Sequence, residues 1–267
     1  MLRSPRIALT AAVACLAGFA LLVLAVRHLP DVQARDLVAA RGFQELGGPQ
    51  ADPVLATIAH VADPLPYLLM GAALAVVALV RRRPRSAAAI LVLLPLTGAT
   101  SEILKHVLNA PASSPGAFPS GHATASMTLA LCAVLAVPQR ARPLTAVLGA
   151  AFAVGVSYSI VALDWHSPTD VLGGFLVAAA WAAAAIGVLL RGGARPTGVP
   201  AAAPRSRDIA VAGGAALAGV LVAGGALAAR TGDLPALALT HATAAVAAAV
   251  IAAAALGLAA AAARLAR

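Results

Sequence analysis

The sequence predicts an all-α polytopic membrane helix bundle, with a six-span core followed by two C-terminal spans. Three observations predict it. Of the 267 residues, 61% are hydrophobic and 11% charged, with a mean hydropathy of +0.91; a soluble domain carries about 45–50% apolar and about 25% charged residues. The apolar residues fall in blocks of about twenty, the length that crosses a bilayer core. The charges lie between these blocks and not along one polar face, so the net charge of +9 argues against a nucleic-acid partner and for membrane topology.

Runs bounded by charges, proline and glycine place spans at 7–27, 64–80, 86–108, 121–138, 143–163, 168–190, 209–229 and 236–263. The first run follows Arg3 and Arg6 and ends in Val26-Arg27-His28 with no small-residue cleavage site, which reads as a retained anchor and not a signal peptide. Segment 28–63 carries Asp31, Arg35, Asp36, Arg41, Glu45, Asp52 and Asp63 among apolar residues, as one or two short helices lying at the outer interface would. The glycines, prolines and arginines of 192–208 read as a cytoplasmic linker. The predicted organisation is therefore a core over 1–191, the linker over 192–208 and a two-span appendix over 209–267. Cys15 and Cys132 sit inside apolar runs, without disulfide or metal spacing.

Charge tests the span count. With the N terminus cytoplasmic, fourteen of the nineteen basic residues fall inside, and Arg27, Arg35, Arg41, Lys105 and Arg230 stay outside, as the positive-inside rule requires. The expectation is a multi-pass cell-membrane protein with both termini cytoplasmic.

Ionisable groups at a membrane boundary are functional candidates. They gather on the outer side at three places: Glu102, Lys105 and His106 ending span three, Ser120 and His122 starting span four, and Asp164, His166 and Asp170 between spans five and six. Lys105 is the chain's one lysine. Ser120 and Ser167 are N-cap residues, with Pro168 at the first helical position. Two helix N-termini facing one aqueous rim beside a lysine make a phosphate site, and Gly121 admits close backbone approach. His166 with Asp170 four positions on forms a nucleophile and its orienter, and His122 is a general acid for the leaving oxygen. No metal or other cofactor is expected. Each residue also has a plainer role: Asp170 as the third member of a Ser-x-x-Asp capping box, the histidines as interface residues, and Lys105 as a helix-end anchor.

Lys105, Pro119-Ser120-Gly121-His122, and Ser159 with His166-x-x-x-Asp170 resemble the three signature motifs of the type 2 phosphatidic acid phosphatase superfamily, membrane lipid phosphatases related to vanadium haloperoxidases. The string Asp164-Trp165-His166-Ser167-Pro168-Thr169-Asp170-Val171-Leu172-Gly173 is especially similar. The resemblance covers about residues 60–190. It implies an extracytoplasmic site and a phosphohistidine intermediate, with catalytic His166, His122 and Asp170, and with Lys105, Ser120 and Gly121 on the substrate phosphate. Both motif arginines are missing: Ala110-Pro111 stands where Arg-Pro is expected, and Ile160 follows Ser159. Arg35, Arg41 and Asn109 are the replacements the sequence offers.

The expected partner is a lipid phosphate drawn from the membrane: a phosphomonoester or pyrophosphate of a glycerolipid or isoprenoid, undecaprenyl pyrophosphate among them. Two rival readings are a pseudoenzyme that binds lipid phosphate, alone or as a membrane partner subunit, and a small transporter. The transporter lacks support from paired broken helices in two halves.

Overall fold

Among the described residues, seven of nine helices begin with proline at their first or second position, where the missing N–H is no loss and φ is already helical. The computed structural model describes residues 4–47, 50–108, 118–191 and 241–266. All regular structure among them is helical: α1 (Pro5–His28), α2 (Pro30–Gly47), α3 (Asp52–His60), α4 (Pro64–Val80), α5 (Pro84–Leu108), α6 (Gly121–Ala136), α7 (Arg142–Ala162), α8 (Pro168–Arg191) and α9 (Ala242–Leu265). The all-α fold class is as predicted. The first six predicted spans match α1 and α4–α8 to within two residues at each end. Of the last, residues 242–263 lie within α9, and 236–240 lie outside the described residues. The linker 192–208, the span at 209–229, and Asn109 to Pro111 lie outside the described residues.

The described helices differ in length. Among the described residues five helices are long and apolar enough to cross a membrane, α1, α5, α7, α8 and α9, or six if α3 and α4, bent by 50°, form one broken span. By itself α4 has 17 residues, and α6 has 16. At 1.5 Å per residue α6 is only about 24 Å long, short of a hydrocarbon core of about 30 Å. It can be short because it is sheathed in protein: thirteen of its residues are buried, and α4, α5, α7, α8 and α9 all touch it. Pro119 and Pro138 bracket it.

Polar groups inside that sheath must be satisfied locally. Thr124 Oγ1 donates to the Ser120 carbonyl (2.8 Å), Ser126 Oγ to Ala123 (3.1 Å) and Thr128 Oγ1 to Thr124 (2.7 Å). Close approach of α8 to the start of α6 depends on Gly174. A Cβ there would lie 2.7 Å from the Ser120 carbonyl oxygen and 2.9 Å from Thr124 N. The Ser120 N–H donates to the Asp170 carbonyl at 3.0 Å, so the N-termini of α6 and α8 are fixed side by side.

At the other end of the bundle two arginines counted above as topology signals also hold structure. Arg83 Nη1 donates to the carbonyls of Leu135 (3.1 Å) and Val137 (2.7 Å), capping the C-terminus of α6. The buried Arg142 guanidinium donates to the Ala266 carbonyl after α9. Helix α9 packs on α7, α8 and α2, and its Ile251, Ala255 and Ala259 enter the same apolar core as α6. The polar segment 28–63 forms α2 and α3, which pack on α7.

Candidate active site

The turn from α7 into α8 sets the first histidine. Leu163 N donates to Ser159, and the Trp165 and His166 amides both donate back to the Ile160 carbonyl (2.9 and 3.3 Å). Asp164 takes φ of 60°, a left-handed conformation that aspartate tolerates better than most residues. Its carboxylate accepts from Gln44 Nε2 of α2 at 2.7 Å. Helix α8 then opens with a reciprocal capping box: Asp170 Oδ2 accepts from Ser167 N (2.9 Å), and Asp170 N donates to Ser167 Oγ (3.4 Å). That same Oδ2 lies 3.3 Å from His166 Nδ1. The contacts that capping and orienting would need, offered as alternatives by the sequence, meet at one buried carboxylate oxygen.

At the start of α6, Ser120 Oγ accepts from Ala123 N at 3.3 Å, which makes it the predicted N-cap. His122 faces His166 with ring centroids 6.5 Å apart. Its Nε2 lies 3.1 Å from Asp63 Oδ1, and Asp63 Oδ2 lies 2.9 Å from His60 Nδ1. The Trp165 ring centroid lies 5.5 Å from that of His122 and 5.4 Å from that of His60. Lys105 reaches the same place from α5. Its Nζ pairs with Glu102 Oε1 at 2.6 Å, and a Cβ on Gly121 would lie 3.1 Å from it. The space that Gly121 leaves therefore admits the lysine head.

The two helix N-termini differ. The α8 end is occupied: Asp36 of α2 accepts from Thr169 N (3.0 Å) and Thr169 Oγ1 (2.6 Å). Burial pushes the Asp36 carboxyl above its usual range, hydrogen bonds from Ser167 and Thr169 draw it partly back, and the Asp170 charge raises it again. A carboxylate of the chain thus sits where the sequence reading placed part of a phosphate site. The α6 end, with Lys105 beside it, is where the predicted binding residues converge.

The structure brings Lys105, Ser120, Gly121, His122, His166 and Asp170 to one rim. Ser159 is not with them; it is buried and donates to Gly155 within its own helix at 2.9 Å. Arg35 and Arg41 are exposed on α2, and His106 is exposed on α5. Arg27 of α1, which the sequence reading left as a boundary charge, donates to the Leu108 carbonyl at the end of α5. The reading also missed Asp36, Gln44, His60 and Asp63 as site neighbours. Only Asp63 carried a local signal: it precedes Pro64-Leu65-Pro66, where two of the first three helical residues have no N–H to cap.

Residues 105–192 match the family model described as PAP2 superfamily. The chain carries a PAP2 segment. It runs from Lys105 to just past the end of α8 and contains every predicted site residue. A crystal structure of a transmembrane PAP2-type phosphatidylglycerolphosphate phosphatase from Bacillus subtilis superposes with a TM-score of 0.50 at 24% identity, covering 68% of this chain and 94% of that one. That likeness bears on the fold. No curated protein matches the sequence. Residues 105–192 thus match the predicted superfamily, and the apolar helices support a multi-pass membrane protein.

Proposed function

We propose that the protein is an integral membrane lipid-phosphate phosphatase that hydrolyses a phosphomonoester or pyrophosphate of a glycerolipid or isoprenoid at the extracytoplasmic face, through a phosphohistidine. The PAP2 segment and the neighbouring fold support a lipid phosphatase in general. The observation that carries the specific reading is His166, held through Nδ1 by buried Asp170, across a 6.5 Å ring separation from His122.

Lys105 and the N–H groups starting α6 hold the phosphate oxygens, with Ser120 and Gly121 shaping that end. A carboxylate on Nδ1 keeps the proton there and presents Nε2 of His166 as the lone-pair nitrogen. Nε2 attacks phosphorus, the phosphorus–oxygen ester bond breaks, and its electron pair leaves on the lipid oxygen, which takes a proton from His122. Water then attacks the phosphohistidine and gives a proton to His122, which releases inorganic phosphate and restores both rings. Every step uses side chains of this rim.

Phosphate release by the purified protein from phosphatidic acid and from polyprenyl phosphates and diphosphates, compared with His166→Ala, tests the proposal. The wild type should release phosphate and the variant should not; equal rates refute it. A second reading, a pseudoenzyme or partner subunit that binds lipid phosphate without cleaving it, is favoured by the two missing motif arginines and by the pairing of Lys105 with Glu102. It requires binding that weakens in Lys105→Ala while hydrolysis is absent in both proteins.

A further inference from the structure

Asp63 occupies the N-cap position of α4 and makes no capping bond with its side chain. An N-cap aspartate ordinarily accepts from the second or third helical N–H. Here the first and third helical residues are Pro64 and Pro66, so most of that work does not exist. Both carboxylate oxygens turn instead to histidines: Oδ2 to His60 Nδ1 at 2.9 Å and Oδ1 to His122 Nε2 at 3.1 Å. The Trp165 ring centroid lies 5.5 Å from that of His122. We propose that Asp63, braced by His60, is the positioning residue of the leaving-group acid: it holds Nε2–H of His122, so that the proton delivered to the lipid oxygen is the one on Nδ1.

The proposal rests on the phosphatase reading. In the step it describes, the Nδ1–H bond of His122 breaks as the leaving oxygen gains that proton, the electrons of the phosphorus–oxygen bond go to that oxygen, and phosphorus bonds to His166 Nε2. The Nε2–H of His122 stays with Asp63 throughout. The charged and titratable groups around His122 are Asp63 and His60 from the α3–α4 bend, Lys105 with Glu102 from α5, and His166 with Asp170 from the start of α8. Of these carboxylates Asp63 is the one in hydrogen-bond contact with the ring. Removing it makes the imidazolium a stronger acid without altering the His166–Asp170 pair.

The test uses the full-length chain in detergent, with an alkyl phosphate and p-nitrophenyl phosphate as paired substrates. An opposite charge at this range shifts a pKa by about one to three units, and Asp63 is partly exposed, so Asp63→Asn should move the alkaline limb of the kcat profile down by about one pH unit. The acid limb should stay. Above neutral pH, kcat on the alkyl phosphate should fall about tenfold or more, while p-nitrophenyl phosphate, whose phenolate leaves without a proton, should change by no more than about twofold. Asparagine and serine both cap as well as aspartate, so Asp63→Ser repeats the test in a second folded variant. Equal losses on both substrates, or an unmoved alkaline limb in an active protein, overturn the proposal alone. A wild type no faster than His166→Ala overturns the phosphatase reading and this proposal with it.

Discussion

Asp170 Oδ2 serves Ser167 N at 2.9 Å and His166 Nδ1 at 3.3 Å, so substituting it separates fold from chemistry. The side chain is 10% exposed, and solvent does not replace what is lost. In Asp170→Asn the amide oxygen still accepts from Ser167 N, and the helix start is kept. What disappears is the charge facing the imidazole. A charge-assisted hydrogen bond is worth about 1.5–3 kcal/mol against about 0.5–1.5 for a neutral one. The difference, about 1–1.5 kcal/mol, is about tenfold in kcat at 1.36 kcal/mol per decade. Asp170→Ala removes both bonds. It should lose about 1 kcal/mol of stability as a broken cap and about tenfold to a hundredfold in kcat as the whole orienting bond goes. Ser167→Ala weakens the capping box from the other side and should lower stability by about 0.5–1 kcal/mol with kcat nearly unchanged. Phosphate release well below the melting transition, beside thermal melts of the same samples, gives both quantities. If kcat in all three variants follows melting temperature alone, Asp170 is only a helix cap and the nucleophile assignment fails.

Three further outcomes follow from particular contacts. Gly174→Ala places a methyl under 3.0 Å from two backbone atoms of the α6 start; overpacking of this kind costs about 1–3 kcal/mol, and an unchanged melting temperature would contradict the packing described. Glu102→Gln frees Lys105 from a half-exposed ion pair of a kind worth about 0.2–1 kcal/mol, so KM for an anionic lipid should fall by up to about fivefold, and a rise would place Lys105 away from the phosphate. Asp36 has a folded pKa above its ordinary 3.8, so between the two values the folded state holds the extra proton and stability falls as pH rises through that window. Denaturant melts of wild type and Asp36→Asn should show the wild type losing stability relative to the variant above pH 3.8, and parallel curves would refute the buried-carboxylate assignment.

Helix ends were the most legible part of this sequence, because proline at the first turn and serine at the cap act within a few residues. Ser120, Pro168 and the Ser167-x-x-Asp170 box were readable on that basis, and the histidines they carry came with them. The site's outer wall was not readable. Asp63 meets His122 across 59 positions, Gln44 meets Asp164 across 120, and Asp36 meets Thr169 across 133. Those pairings depend on where α2 and α3 lie over the bundle, and no local period encodes that. The carboxylate at the α8 start was unreadable for the same reason: local sequence shows that a helix start is positive, and only tertiary structure shows that Asp36 lies against it. Helix α6 is shorter than a lipid-facing span, since the twenty-residue rule applies to helices that meet lipid, and α6 is enclosed by other helices.

The occupied α8 terminus bears on how much catalysis this rim can supply. Membrane partitioning concentrates a lipid substrate at the site and offsets weak ground-state binding. It does nothing for the transition state, in which charge moves onto the transferring oxygens; only contacts that strengthen there raise kcat. Asp36 has taken the α8 donors, and Lys105 is shared with Glu102. Under the phosphatase reading the developing charge therefore falls to Lys105 and the α6 start, with His122 relieving the leaving oxygen. The guanidinium brought to the same end of α5 is that of Arg27, on the Leu108 carbonyl. With Lys105 as the cation beside the α6 start among the described residues, the rim depends the more on its acid, because each proton transferred removes negative charge that a single lysine would otherwise hold. Loss of Asp63 should accordingly fall on kcat, with KM nearly unmoved. A pseudoenzyme built on the same residues would show the reverse, a binding defect confined to Lys105→Ala.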